Sequence, residues 1–171
     1  VGVIGAGTMG NGIAQVCALK GLAVVMLDIN EVAVQKGIAT ITGSFDRLIK
    51  KGTLSPADKG AALAQLRGTT QLVDLKDADI AIEAATENVE IKIKILKELD
   101  LTLNPDAIIA TNTSSISITK LAAATKRGDK FIGMLFLARD VTHSAHLNTR
   151  SFAKHKALGK VYPEIVDLAD K

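Results

Sequence analysis

The sequence predicts an α/β fold in which a doubly wound parallel sheet is followed by an appended helical tail. Short apolar runs alternate with longer amphipathic stretches, a rhythm typical of parallel strands connected by helices on both faces. The 171 residues suffice for one main domain with a proper core plus an appendage. From about Leu137 the alternation stops and helical spacing replaces it. We therefore predict a main domain at residues 1–136 and a tail of different origin at residues 137–171.

The order of elements follows from the apolar runs and the residues that punctuate them. Gly21 ends the first helix, and Ser55 with Pro56 begins a later one, because serine caps a helix and proline fits its first position. Asn104-Pro105 stops another helix. Strands are predicted near residues 1–5, 23–28, 79–84, 107–111 and 131–136, with a weaker one near 69–73. Helices are predicted near residues 8–20, 31–51, 56–66, 88–103 and 115–124.

The spacing of apolar residues in the tail predicts one or two helices, broken or bent near Pro163. Its apolar stripe consists of Leu158, Val161, Tyr162, Ile165, Leu168 and Ala169. Because an exposed apolar face of that size favours association, we expect the tail to cover the domain surface or to support self-association.

Composition and charge exclude several classes of protein. Hydrophobic residues make up 47% and charged residues 23%, which is typical of a globular protein. Lys20 and Asp28 interrupt the most apolar region, so we expect no membrane span. The net charge of +3 is spread without a basic stripe, which argues against nucleic acid as a partner. The single Cys17, and an opening on "VGVIG" with no leader pattern, favour a cytoplasmic protein with a trimmed N-terminus.

The stretch "GAGTMG" predicts a phosphate-binding turn between the first strand and the first helix. Gly5 permits the tight turn, Gly7 lets the backbone approach a pyrophosphate, and Gly10 lets the helix pack on the strand. The helix N-terminus presents free N–H groups to the phosphates. The cofactor-binding residues predicted here are Gly5, Gly7, Thr8, Met9 and Gly10.

Asp28 ends the next strand, where a carboxylate can accept hydrogen bonds from the adenosine ribose hydroxyls. A negative charge there repels the extra phosphate of NADP, so the predicted cofactor is NAD. The glycine turn between a strand and a helix, followed by this aspartate, predicts a fold of the Rossmann type. The alternative is a glycine turn followed by an unrelated surface aspartate.

Five motifs give the sequence a resemblance to a known family. They are "GVIGAGTMGNGIAQ", "LDIN", "IEAATENVEIK", "IIATNTSSISIT" and "FIGM", in the family's order and spacing. On these motifs residues 1 to about 134 resemble the NAD-binding domain of the 3-hydroxyacyl-CoA dehydrogenases, most closely the bacterial 3-hydroxybutyryl-CoA enzymes. The resemblance implies an oxidoreductase of fatty acid metabolism that acts on 3-hydroxyacyl-CoA or acetoacetyl-CoA.

The resemblance also implies roles for individual residues. Glu87 and Lys92 would line the nicotinamide side of the cleft, and Lys92 would also approach coenzyme A. Ser44 and Lys51 match positions that contact coenzyme A, although both also suit a solvated helix face. Ser114 matches the catalytic serine that hydrogen-bonds the substrate oxygen, and it also suits a helix cap.

The chain departs from the family immediately after "FIGM". The family has a histidine base there, followed by two aromatic residues and an Asn-Pro pair, whereas this chain has Leu135 at the base and Ala138 at the asparagine. The glutamate that orients the histidine falls at Leu147. The family's second, all-helical domain is also expected to be absent. The resemblance therefore implies that the chain is inactive or very weak as an enzyme.

The tail has a loose likeness of its own, to the first part of a Dps-like ferritin subunit. By that likeness His146, His155 and Asp170 would match iron-site positions, but ordinary surface histidines on an amphipathic helix are favoured and no metal site is predicted. His143 or His146 could replace the lost base only if the chain folded back.

Three functions therefore remain open from the sequence. The first is NAD-dependent oxidation of a 3-hydroxyacyl-CoA, with Ser114 polarising the substrate oxygen. The second is a non-catalytic NAD-binding module, or a recombined or engineered chimeric scaffold. The third is a metal-binding or assembly role for the tail.

Overall fold

Six parallel strands form one sheet in a computed structural model of the chain, which describes residues 1–134. The strands are β1 (Gly2–Ile4), β2 (Val24–Leu27), β3 (Leu66–Thr69), β4 (Ile80–Glu83), β5 (Ile108–Thr111) and β6 (Phe131–Gly133). Their order across the sheet is β3-β2-β1-β4-β5-β6, and every neighbouring pair is parallel. The predicted doubly wound fold is confirmed. The strand order reverses between β1 and β4, where such folds bind their ligands.

The helices of this part of the chain begin at the capping residues that the sequence offers. The helices are α1 (Thr8–Leu19), α2 (Glu31–Lys50), α3 (Pro56–Ala64), α4 (Val89–Thr102) and α5 (Ile118–Ala122). Ser55 Oγ accepts a hydrogen bond from the Asp58 N–H at 3.0 Å, with Pro56 at the first helical position, as predicted. Asn30 and Asn88 cap α2 and α4 in the same way. Between residues 1 and 134 no helix has the length and apolar character of a membrane span.

One predicted strand is displaced. The weak strand expected near residues 69–73 is β3, which ends at Thr69, and residues Leu72–Leu75 form a short 3₁₀ helix instead. The Thr69 hydroxyl donates to Asp74 Oδ2 at 2.5 Å and accepts from the Gln71 N–H at 3.0 Å, so a local side-chain turn ends the strand. Leu75, the last residue of this 3₁₀ helix, is fully buried.

The core consists of one apolar layer on each face of the sheet. On one face, helices α1 to α3 cover β1 and β2, and on the other face α4 and α5 cover β4 and β5. Members of the first layer are Val3, Ala14, Ala18, Val24, Met26, Ile41 and Phe45. Members of the second are Ile4, Ala81, Leu96, Leu99, Ile109 and Leu121. Because both faces are covered, β1, β2, β4 and β5 are apolar up to their ends, whereas the edge strand β3 carries the exposed Arg67.

Arg127 ties the end of α4 to the segment before β6. Its Nε donates to Asp100 Oδ1 at 2.7 Å, and its Nη1 donates to the Asn104 and Ala107 carbonyls at 2.7 and 3.1 Å. These carbonyls lie past the end of α4, and the Asn104 carbonyl also accepts from the Ala107 N–H at 2.9 Å. Burial raises the pKa of Asp100, but the Arg127 guanidinium and the Lys126 N–H outweigh it, and the pKa lies below its usual value.

Some predictions fall outside the described residues. They are the continuation of β6 to residue 136, the substitutions at Leu135, Ala138 and Leu147, the histidines, Asp170, and the helical tail at residues 137–171.

Candidate functional site

The glycine turn between β1 and α1 is packed so closely that two of its glycines admit no side chain. Gly5 has a φ of +99°, and a Cβ there would lie 2.7 Å from the Ala84 carbonyl oxygen. A Cβ at Gly10 would lie 1.7 Å from the Gly5 carbonyl oxygen. Gly5 therefore permits the turn and its contact with the β4 loop, and Gly10 permits α1 to pack against the turn, as predicted.

Gly7 differs from the other two, because a Cβ there would meet no atom of residues 1–134 within 4 Å beyond its chain neighbours and its own helix backbone. It is the N-cap of α1 in an extended conformation, so neither backbone strain nor crowding requires a glycine. The first turn of α1 carries no acidic residue, and no side chain caps it. Its free N–H groups and the helix dipole favour an anion, and the open space beside Gly7 fits a pyrophosphate approaching the backbone.

This contrast gives a matched pair of substitutions. We expect Gly7→Ala to leave thermal stability nearly unchanged and to weaken NAD binding, because the methyl group occupies the space of the pyrophosphate. We expect Gly10→Ala to lower stability by about 1–3 kcal/mol, because backbone must move to admit it. Thermal unfolding and NAD titration of both variants measure the two effects. A Gly7→Ala protein that binds NAD like the unmodified chain would contradict the assignment of the turn.

Asp28 follows β2, and its carboxylate accepts a hydrogen bond from the glycine turn. Oδ2 accepts from the Ala6 N–H and Oδ1 from the Ile29 N–H, both at 2.7 Å. Asp28 and Gly5 line a cleft of about 510 Å³, with Ile29, Thr70 and several residues of α4 on its walls. The carboxylate is half-buried at this edge, beside an apolar cleft, and its predicted contact with an adenosine ribose stays a prediction.

A buried charge pair lies on the other side of the switch point. Lys92 Nζ, on α4, forms an ion pair with Glu83 Oε2 at the end of β4. Lys92 is 1% exposed and Glu83 is fully buried. The Thr111 hydroxyl, at the end of β5, donates to the same Glu83 oxygen at 2.8 Å, and Glu83 Oε1 accepts from the Ala85 N–H at 3.0 Å. The carboxylate is thus fully hydrogen-bonded, as a buried charge requires.

Glu87 lies in the loop between β4 and α4 and joins it to the loop after β5. Its Oε2 accepts from the Thr113 hydroxyl at 2.8 Å and from the Ser115 hydroxyl at 3.0 Å. Ser114, between these two donors, is exposed. The helix-cap alternative for Ser114 is wrong, because α5 begins later than predicted, at Ile118, and Ser117 caps it. The exposed Ser114 hydroxyl, next to the hydrogen-bonded Glu87 carboxylate, is free to donate a hydrogen bond to a substrate oxygen.

Glu87 and Lys92 both line a second cleft, of about 270 Å³. Met9 of the glycine turn and Asn112 lie on its other walls. Both clefts share Ala85 and Thr86 of the loop after β4, but the Asp28 cleft extends to the end of β2 and this one to Asn112 after β5. Residues of the glycine turn line both. A dinucleotide spanning the turn would therefore place one half in each cleft.

Ser44 and Lys51 lie apart from these contacts. Ser44 is half-buried on α2, and Lys51 is exposed at the C-cap of that helix. Within residues 1–134, neither side chain makes a hydrogen bond to the groups around Glu87 or Ser114. Their predicted contact with coenzyme A stays a prediction.

Five residues that contact or line the site were not predicted from the sequence, namely Glu83, Thr111, Asn112, Thr113 and Ser115. Glu83 is a charge at the end of an apolar strand, and that position is a usable signal, because a buried carboxylate requires a partner. The described residues contain no cluster of His, Cys, Asp or Glu that could hold a metal ion.

The chain is similar to proteins of one known family over most of its length. The model of the family described as 3-hydroxyacyl-CoA dehydrogenase, NAD binding domain, matches residues 1–139. A 3-hydroxybutyryl-CoA dehydrogenase of Bradyrhizobium diazoefficiens is 49% identical over 137 residues, which are 80% of this chain and 47% of that protein. One from Clostridioides difficile is 44% identical over 134 residues, 78% of this chain and 48% of the relative.

A solved structure agrees in fold. The crystal structure of (S)-3-hydroxybutyryl-CoA dehydrogenase from Ralstonia eutropha superposes with a TM-score of 0.76 at 63% identity, covering 77% of this chain and 47% of that one. The chain thus spans about half the length of the relatives that it matches.

Proposed function

The chain belongs to the 3-hydroxyacyl-CoA dehydrogenase family as its NAD-binding domain, and from this membership we propose that it holds NAD(H), in preference to NADP(H), for hydride exchange with a 3-hydroxyacyl-CoA. The observation that carries the proposal is the pair of clefts on either side of one glycine turn. Asp28 lines the first cleft and Glu87 the second, and the open space at Gly7 lies at the turn.

We assign the adenosine half of the cofactor to the Asp28 cleft and the nicotinamide half to the Glu87 cleft. Asp28 accepts hydrogen bonds from the ribose, and the N–H groups of α1 bind the pyrophosphate. The bound NAD supplies the hydride chemistry. Ser114 donates a hydrogen bond to the substrate oxygen, while Ser44 and Lys51 are proposed contacts of coenzyme A.

The substrate proposal rests on the relatives. The Bradyrhizobium and Ralstonia proteins are named as 3-hydroxybutyryl-CoA dehydrogenases, so a short 3-hydroxyacyl-CoA, or acetoacetyl-CoA in the reverse direction, is the substrate class proposed. Leu135 and Ala138 favour a second candidate, a chain that binds NAD without efficient catalysis, because the family's base and its asparagine are replaced there. A tail of different origin, in a recombined or engineered chain, would account for both substitutions.

Cofactor choice is the first test of the proposal. We expect the chain to bind NAD at least about tenfold more tightly than NADP, because Asp28 repels a phosphate on the ribose. Lys94 and Glu98 also line the cleft, but their opposite charges offset each other and leave Asp28 as the net charge. Paired binding isotherms measure the preference, and Asp28→Asn should reduce it. Equal or tighter binding of NADP to the unmodified chain would refute this part of the proposal.

A further inference from the structure

We infer that the Glu87 cleft favours oxidised over reduced cofactor, because Glu83 neutralises Lys92 and leaves Glu87 as the local net charge. The inference rests on the proposed function, since it requires the nicotinamide to occupy this cleft. In this inference, the negative charge of Glu87 makes the chain bind the oxidised nicotinamide ring more tightly than the reduced ring.

The charge balance of the cleft follows from the contacts of its lining residues. The charged residues that line it, within residues 1–134, are Glu87 and Lys92. Lys92 does not present a free cation, because its ammonium is buried against the Glu83 carboxylate. The two charges of that pair are in contact, so their fields largely cancel beyond a few ångströms. The cleft therefore carries one net negative charge from its described residues.

The Glu87 carboxylate is held in place without being neutralised. Its two partners, the Thr113 and Ser115 hydroxyls, are neutral donors. Among the described residues no Lys, Arg or His nitrogen lies within ion-pair distance of it. Thr113 is 2% exposed, whereas Glu87 and Ser115 are exposed, so the carboxylate is anchored on a buried residue but itself lies at the surface of the cleft. Within residues 1–134, the structure thus fixes a carboxylate without a compensating cation on the wall of the cleft.

The oxidised nicotinamide ring carries a formal positive charge, whereas the reduced ring is neutral. A fixed carboxylate beside the ring attracts the first and has no matching attraction for the second. Placing a ring over Glu87 also removes water from the carboxylate, which strengthens the attraction relative to that of an open surface pair. The difference in binding between the two redox states is therefore a property of one side chain.

Binding of three probes to the 171-residue chain tests this inference. The probes are NAD⁺, NADH and ADP-ribose, which keeps both riboses and the pyrophosphate and lacks only the nicotinamide ring. In Glu87→Gln we expect the ratio of NAD⁺ affinity to NADH affinity to fall about fivefold to tenfold. The affinity for ADP-ribose should stay within twofold. Glu87→Asp, which keeps the charge, should retain most of the ratio even though it shortens the reach to Thr113 and Ser115.

Two further variants separate charge from structure. Glu83→Gln combined with Lys92→Met removes both buried charges and leaves the net charge of the cleft unchanged, so both affinities should fall by the same factor and their ratio should persist. Asp129→Asn removes an exposed carboxylate elsewhere and should leave both affinities as they are.

The possible results show separately whether the charge inference fails and whether the proposed NAD binding fails. If Glu87→Gln weakens NAD⁺ and NADH equally, the carboxylate acts only as a contact and the inference is overturned while NAD binding stands. If the double variant shifts the ratio as far as Glu87→Gln does, the buried pair is not neutral and the inference is again overturned. If the unmodified chain binds neither NAD⁺ nor NADH, the proposed function fails together with it.

Discussion

Oxidation of 3-hydroxybutyryl-CoA by the 171-residue chain should run at least about a hundredfold slower than in a full-length relative, although NAD still binds. Removal of a general base typically costs about 10²- to 10⁴-fold, and Leu135 stands where the family has its histidine. Poor positioning of the reacting carbon can cost as much again. The measurement is the appearance of NADH absorbance under saturating NAD. The Ralstonia enzyme is a suitable positive control.

Leu135→His alone should recover little of this activity. By the family pattern, Leu147 stands where a glutamate would orient the imidazole, so the restored base would lack its partner. Ser114→Ala in the Leu135→His background is the matched control, because it removes the proposed substrate contact as well. A rate in the unmodified chain comparable with that of the relative would overturn this prediction and require a substitute base among His143, His146 and His155.

Loss of one partner of the buried ion pair should be the most damaging single change to the stability of the domain. Lys92→Met leaves the Glu83 carboxylate buried without its cation, and breaking such a pair typically costs about 3–5 kcal/mol. The remaining hydrogen bonds from Thr111 and Ala85 are neutral and do not replace the ammonium. Urea unfolding, followed by far-UV circular dichroism, measures the change in the free energy of unfolding.

The double variant Glu83→Gln with Lys92→Met should regain most of that stability, because neither uncompensated charge remains. Lys97→Met is the matched control: Lys97 is an exposed lysine on the same helix, and its substitution should change the free energy of unfolding by about 0.5 kcal/mol or less. Should Lys92→Met stay within about 1 kcal/mol of the unmodified chain, the pair would not be the buried contact described.

Local sequence signals predicted the parts of the fold that depend on local chemistry. The glycine turn, the Ser55 cap and the alternation of strands and helices follow from rules that involve neighbouring residues, and the structure confirms them. The displaced strand shows the limit of that reasoning. The sequence predicts a weak strand near residues 69–73, which would begin at Thr69. In the structure the Thr69 hydroxyl donates to Asp74, and β3 ends at this residue. One side-chain contact therefore determines where the strand ends.

The chemistry of the Glu87 cleft could not be predicted in the same way. Glu83, Lys92 and Thr111 come from three different elements, and only the parallel pairing of β4 with β5 brings Glu83 beside Thr111. A motif locates Lys92 near the cofactor but does not show that its charge is already balanced. The distinction between a free and a paired lysine depends on tertiary contacts, and it decides the net charge of the cleft.

Arg127 has a consequence for how this domain can be recombined with others. Its guanidinium binds Asp100 and carbonyls as far as Ala107, so these distant segments must come from the same parent to keep the contact. A crossover between residues 107 and 127 would pair the end of α4 with a foreign partner. A crossover after Gly133 separates none of the hydrogen bonds described within residues 1–134. On these contacts, a junction placed just beyond β6 should disturb the described part of the domain least.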